Sequence, residues 1–185
     1  MALMETPICD FGRPAIDFSL PDINGVVHSL DSCKGKNGLL VMFICNHCPY
    51  VKAIQERLVR DTRELQQHGI ESVAIMSNDV STYAYDSLEN MKAIAERFNF
   101  PFPYLFDESQ QVARAYRAIC TPDFFGYNSN LELQYRGRLD ASGTNRDADD
   151  SRRDLFEAMK QVSMTGHGPE QQIPSIGCSL KWKTD

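Results

Sequence analysis

The segment Phe43-Ile44-Cys45-Asn46-His47-Cys48-Pro49-Tyr50 sets two cysteines three positions apart, where an apolar run ends and an amphipathic one begins. Before it, Gly38 to Ile44 is apolar without alternation, the pattern of a strand buried on both faces. After it, Val51, Ile54, Leu58 and Leu65 fall on one helical face, Lys52, Glu56, Arg60 and Glu64 lie elsewhere, and Gly69 stands where a helix should stop. Ile70 to Ser77 then reads as a second strand. Strand, helix and strand of this length predict a right-handed βαβ unit with the CxxC at its first junction.

Working outward, Phe18 to Leu20 and Val26 to Leu30 flank Asn24-Gly25, a tight-turn dipeptide, and predict a small β-hairpin ahead of the buried strand. Downstream, a helix is expected from Ser87 to Phe98, a short strand at Tyr104 to Phe106, and a helix from Ser109 to Ala118 that ends ahead of Thr121-Pro122. Asp123 to Tyr127 and Leu131 to Leu139 read as antiparallel strands joined at Asn128-Ser129-Asn130, and Asp150 to Val162 as the last helix. Ser163 to Asp185 is rich in Gly, Pro and polar residues and predicts an extended or partly disordered arm.

The chain has 185 residues, 42% of them hydrophobic, enough for one domain with one core. A net charge of -6 without any Lys/Arg run argues against nucleic acid or an anionic membrane as partner. Residues 1–7 carry neither a basic nor an apolar targeting segment, and no run of about 18 apolar residues occurs, so a cytosolic location is expected. In a reducing compartment most of the six cysteines should be thiols, and the exceptions are catalytic or metal-binding.

With Cys45 at the N-cap of the helix, Cys48 would be three residues on, at a Cβ separation of about 5–6 Å, close enough to form a disulfide after small adjustment. Helix N-terminal N–H groups favour an anion, so a thiolate is expected there, and His47 is placed to tune it. A structural zinc site would need a second close Cys or His pair, which the sequence lacks. A permanent disulfide across so small a loop gains little, whereas two inert buried thiols fit poorly at a strand-to-helix junction.

Strand, CxxC, helix, strand, then Thr121-Pro122 ahead of an antiparallel pair, resembles the thioredoxin superfamily. Phe18-Ser-Leu-Pro-Asp-Ile-Asn-Gly25, Ser29-Leu30, Gly35-Lys36, Tyr135-Arg-Gly-Arg-Leu-Asp140 and Pro174-Ser-Ile-Gly-Cys-Ser-Leu-Lys-Trp182 look like its redoxin branch, with the alkyl hydroperoxide reductase/thiol-specific antioxidant proteins. The resemblance implies an α/β, thioredoxin-like fold: a central mixed sheet flanked by helices, with the hairpin as an N-terminal extension. The domain would cover residues 1–163, with 164–185 as an extended tail.

It further implies a thiol-disulfide oxidoreductase in which Cys45 is the exposed nucleophile, Cys48 resolves the mixed disulfide, and Thr121 and a cis Pro122 present backbone to substrate. Protein or small-molecule thiols and disulfides would be the partners, together with a reducing or oxidising protein, and no cofactor is expected. Cys120 and Cys178 are candidate additional redox thiols. Cys120 reads equally as a small buried hydrophobe and Cys178 as a free surface thiol, while Trp182 should anchor the tail.

Two departures bear on mechanism. Thioredoxins carry a buried Asp six residues before the first Cys, and here that residue is Leu39, so proton transfer must use water, His47 or another group. A peroxiredoxin would place its peroxidatic cysteine at Cys48-Pro49, but the Thr of that motif is replaced by Cys45; Arg138 or Arg117 would have to supply its cation, and both read better as surface charges. A reading of a different class is a metal-binding or sensing module in which Cys45, Cys48 and a His or third Cys hold Cu(I) or zinc.

Overall fold

A computed structural model describes residues 2–146 and 152–184. Its centre is β4 (Gly38–Phe43), all six residues of which are buried. On one side it pairs in parallel with β5 (Ile70–Met76), which pairs in parallel with β6 (Tyr104–Phe106). On the other it runs antiparallel to β8 (Asp123–Asn128), which pairs with β9 (Leu133–Tyr135). The result is a five-stranded mixed sheet of order β6-β5-β4-β8-β9, the thioredoxin-like arrangement.

The pleat divides the core. Leu40 and Met42 pack on one face with Val51, Ile54, Leu58 and Leu65 of α2 (Pro49–Gln67) and with Leu155 and Met159 of α5 (Asp154–Thr165). Leu39, Val41 and Phe43 point to the other face, among Phe18, Leu30, Tyr116 and Phe125. Successive residues of a strand face opposite ways, so an uninterrupted apolar run is required when both faces are covered. α3 (Leu88–Phe98) adds Met91 and Ala95 to the first face, and α4 (Gln111–Tyr116) adds Ala113 to the second.

The hairpin forms from β2 (Ser19–Pro21) and β3 (Val27–Ser29), with Gly25 in the turn at φ +83°. It leads into α1 (Leu30–Cys33), a single turn capped by Ser29. The last helix starts later than expected, and Asp150 and Ser151 lie outside the described residues. The strand expected over 131–139 is confined to β9. Asn128 Oδ1 accepts from the backbone N–H of Asn130 and Glu132 and holds the turn, while the Arg136 N–H leaves the sheet to bond Gln172.

The largest departure is at the C-terminal stretch. Instead of trailing from the domain, it forms β10 (Ile176–Ser179), which runs antiparallel between β1 (Leu3–Glu5) and β7 (Cys120–Thr121) as the centre of a second, three-stranded sheet. Beyond it, Gln110 Nε2 donates to the Lys181 carbonyl at 2.8 Å, Leu180 is buried, and the Arg114 guanidinium lies 4.4 Å over the Trp182 ring. Among the described residues, no helix is long and apolar enough to cross a membrane.

The segment before β8 is clamped by a buried ion pair. Arg136 Nη2 donates to Asp123 Oδ2 at 2.9 Å and to the Arg117 carbonyl at 3.0 Å, and Asp123 Oδ2 accepts the Ile119 N–H at 3.2 Å. Arg136 also stacks 4.4 Å over Phe125. Removing one partner of a buried pair strands the other charge, so Arg136→Met should destabilise the protein by about 3–5 kcal/mol, read as a lowered urea midpoint.

Candidate active site

The ladder fixes where the dithiol sits. Ile44 donates its N–H to Ile75 O at 3.1 Å, extending the β4–β5 pairing to the edge of the motif, and Pro49 opens α2 at a position where a missing N–H costs nothing. Residues 45–48 form the intervening loop. Facing it is Thr121, joined to Pro122 by a cis peptide bond. Cys45 Sγ lies 3.3 Å from Thr121 Oγ1, and the Cys48 thiol donates to the Thr121 carbonyl at 3.1 Å. No disulfide links the six cysteines.

Two expectations change here. The residue preceding the first helical turn is Cys48 rather than Cys45. Cys45 is also not exposed: both sulfurs are sealed, with Cys45 at 1% and Cys48 at 0% relative exposure.

The shift in helix start moves the anion. Cys48 Sγ accepts a hydrogen bond from the Cys45 thiol; burial opposes ionisation, and the Val51 N–H and the thiol and N–H of Cys178 favour it, which together lower its pKa to about 5. Cys45 moves the other way. Its hydrogen bond to Cys48, its burial and the nearby Asp86 carboxylate hold it well above the usual thiol range, against the Thr121 hydroxyl. The Thr121 carbonyl disfavours a thiolate at position 48, but the fixed N–H donors lie on the Cys48 side of the pair and the carboxylate lies on the Cys45 side. Of the two sulfurs, Cys48 is the one whose surroundings favour the anion.

His47 does not face water. Its Nδ1 lies 2.6 Å from Asp86 Oδ2, and its ring stacks on Tyr83 with centroids 5.4 Å apart. Asp86, fully buried, also accepts from the Asn46 N–H at 2.8 Å, the His47 N–H at 3.3 Å and Asn78 Nδ2 at 2.9 Å. Burial alone would raise this carboxyl, and the bonds from His47, Asn78 and Asn46 outweigh it, so Asp86 titrates below the usual carboxylate range. Asp86 was not singled out in the sequence. Its only signal there is a lone acid in the aromatic loop Tyr83-Ala84-Tyr85, ahead of the Ser87 cap of α3.

Ligand atoms of Cys45, His47 and Asp86 lie within 4.8 Å of one another, the one such grouping near the dithiol among the described residues. Both Asp86 oxygens are engaged by groups of the protein, and His47 Nε2, buried, is left without a hydrogen-bond partner.

The other candidates divide. Cys178 is brought into the site, in register with Thr121 and packed in one buried cluster with Cys45 and Cys48. Cys120 donates weakly to the Pro122 carbonyl at 3.5 Å, and burial pushes its pKa far up. Arg138 is paired with Asp154 at 2.8 Å, and Arg117 closes α4 with a left-handed backbone. A cavity of about 340 Å³ lies alongside, bordered by Tyr50, Ile54, Pro122, Arg138, Ser175 and Ile176.

Comparison with known proteins bears on this site. The AhpC/TSA family matches residues 11–142, a stretch running from before the hairpin to beyond β9 and including the dithiol loop and Thr121-Pro122. The chain belongs to the AhpC/TSA family. An uncharacterized conserved protein from Geobacillus kaustophilus is 43% identical, with a TM-score of 0.93 over 100% of this chain and 98% of its own. The thiol-disulfide oxidoreductase ResA of Geobacillus thermodenitrificans is 29% identical over 127 residues, and this AhpC/TSA chain spans 66% of its length, with 66% of the chain matched. A secreted disulfide oxidoreductase from Mycobacterium tuberculosis shares the fold, with a TM-score of 0.54 at 16% identity over 63% of this chain and 80% of that one.

A titration tests the placement of the charge. Ultraviolet thiolate absorbance should show one group ionising near pH 5 in the parent protein and none in Cys48→Ser. The folded pKa lies below the unfolded value of about 8.5, so this ionisation adds stability as pH rises between the two and the contribution is lost as pH falls through about 5.

Proposed function

We propose that this AhpC/TSA protein is a thiol-disulfide oxidoreductase in which Cys45 and Cys48 cycle between dithiol and disulfide. The observation that carries the reading is the dithiol held against Thr121 at the start of α2, with Cys45 Sγ 3.3 Å from the Thr121 hydroxyl and Cys48 Sγ 3.1 Å from its carbonyl, where the surroundings favour the anion on Cys48. The thiolate is the attacking species in exchange, which makes Cys48 the nucleophile and Cys45 the sulfur that closes the intramolecular disulfide. This reverses the roles expected when the helix was taken to start at Cys45.

Resolution requires Cys45 to lose its proton as it attacks the mixed disulfide. Leu39 supplies no carboxylate, but His47, held by Asp86, offers a base beside Cys45, and His47 Nε2 has no competing partner. The Asp86 network thus replaces from the β5–α3 loop what thioredoxins draw from the strand before the motif. Substrates are disulfides of proteins or small molecules, and a reducing compartment such as the cytosol belongs to the same proposal.

One observation favours thiol peroxidase chemistry as a second reading: the low pKa falls on Cys48, which is followed by Pro49 as in a peroxidatic motif. Against it, Cys45 occupies the place of the orienting hydroxyl, and the Arg138 side chain is committed to Asp154.

A reductant-coupled insulin reduction assay decides between the readings. Cys48→Ser should abolish turnover and Cys45→Ser should lower it, whereas hydroperoxide consumption that survives Cys45→Ser, in a parent protein that cannot reduce insulin, rejects dithiol exchange. Asp86→Asn should slow exchange by about 10²-fold, the lower range for a lost acid–base contribution, and should change the pH profile of the rate; an unchanged profile would remove Asp86 and His47 from proton transfer.

A further inference from the structure

β10 raises a question that the dithiol alone does not answer. A sheet edge next to an exchange-active pair is where an extended disulfide substrate would add as a strand, its backbone bonded to Thr121. In this chain that edge is taken: Cys178 pairs with Thr121 and Ser179 with Cys120. The approach is so close that a Cβ at Gly177 would stand 2.1 Å from the Thr121 carbonyl oxygen, so glycine is needed at that position. Ser175 Oγ adds a 2.8 Å bond to the Pro122 carbonyl, and the Thr6 N–H donates to Ser175 O at 2.9 Å.

We infer that Cys178 is the third sulfur of the catalytic cycle: the C-terminal strand is a built-in substrate, and the disulfide passes between Cys45–Cys48 and Cys48–Cys178. The inference rests on the dithiol reading above. Three observations carry it: the register that sets residue 178 against Thr121, the Thr121 backbone carbonyl that also meets the Cys48 sulfur, and the packing of Cys178 in one buried cluster with Cys45 and Cys48. Cys178, at 6%, is the most exposed of the three residues.

The step balances without an outside reagent once the pair is oxidised. The Cys178 thiol gives up its proton, its sulfur attacks Cys48 Sγ, the Cys45–Cys48 bond breaks, and Cys45 leaves as a thiolate that takes the proton. One disulfide is lost and one is formed. In the reduced protein the Cys178 thiol is pushed up to about 12, by burial and by its contact with the charged Cys48. Oxidation of Cys48 removes that charge, while Lys181 remains nearby to favour the Cys178 anion, so the strand sulfur becomes reactive in the state that has a disulfide to accept it.

The test treats the reduced protein with one equivalent of glutathione disulfide, quenches with acid and an alkylating agent, and maps linkages by non-reducing peptide mass spectrometry. The parent should give both Cys45–Cys48 and Cys48–Cys178. Cys45→Ser should release glutathione and collect as Cys48–Cys178. Gly177→Ala retains all three sulfurs but forces the strand away from Thr121, and should form Cys45–Cys48 with at least tenfold less Cys48–Cys178. The inference fails if Cys45→Ser, folded by circular dichroism, retains glutathione on Cys48, and Cys45→Ala serves as a second version of the variant. A parent that forms Cys45–Cys48 and no Cys48–Cys178 overturns the third-sulfur role alone, whereas a parent that forms neither overturns the dithiol reading beneath it.

Discussion

Thr121 is the residue on which the site converges. Its hydroxyl meets Cys45, its carbonyl meets the Cys48 thiol, and its backbone is paired with Cys178. Three sulfurs from two distant parts of the chain are therefore gathered at one peptide unit. That unit is fixed from behind by the Arg136–Asp123 pair, buried between β8 and the body of the domain. Desolvating two charges is costly, and it is compensated here because each finds further partners: Arg136 the Arg117 carbonyl and the Phe125 ring, Asp123 the Ile119 N–H. Placing the clamp beneath a catalytic loop limits how far Thr121 can drift from the dithiol.

Around this anchor the electrostatics are asymmetric. Backbone N–H groups of the α2 N-terminus and of β10 gather at Cys48, and a carboxylate with its histidine gathers at Cys45. The same two thiols in a symmetric setting would have no preferred proton location. Here the donors favour the anion on one sulfur and the acid on the other, which an exchange cycle needs for attack and for resolution. The fold is shared with proteins of differing chemistry, and it is this asymmetry that suits the site to exchange.

Much of the fold was legible in the sequence because β4 and α2 have strong and different periodicities, one unbroken and one helical, with the CxxC between them. The sheet partners followed from Ile70 to Ser77 and from the paired runs after Pro122. What could not be read has physical reasons. A helix start is uncertain by a few residues in any sequence, yet moving it from Cys45 to Pro49 transfers the charge from one sulfur to the other. Asp86 is 38 residues from Cys48 and acts through space, with no pattern to announce it. β10 is four residues long and includes a glycine, so it has little strand propensity of its own; pairing to β1 and β7 makes it a strand.

The placement of β1 and β10 has a consequence for access. The cover over the sulfurs is made of residues 2–6 and 175–179, a small sheet distinct from the five strands that carry the core. Uncovering the dithiol needs the inter-strand bonds of this small sheet to break and Cys178 to leave the first hydrophobic cluster, while the five-stranded sheet stays paired. Access of any disulfide to Cys45 and Cys48, both buried, therefore depends on local opening rather than on unfolding of the core.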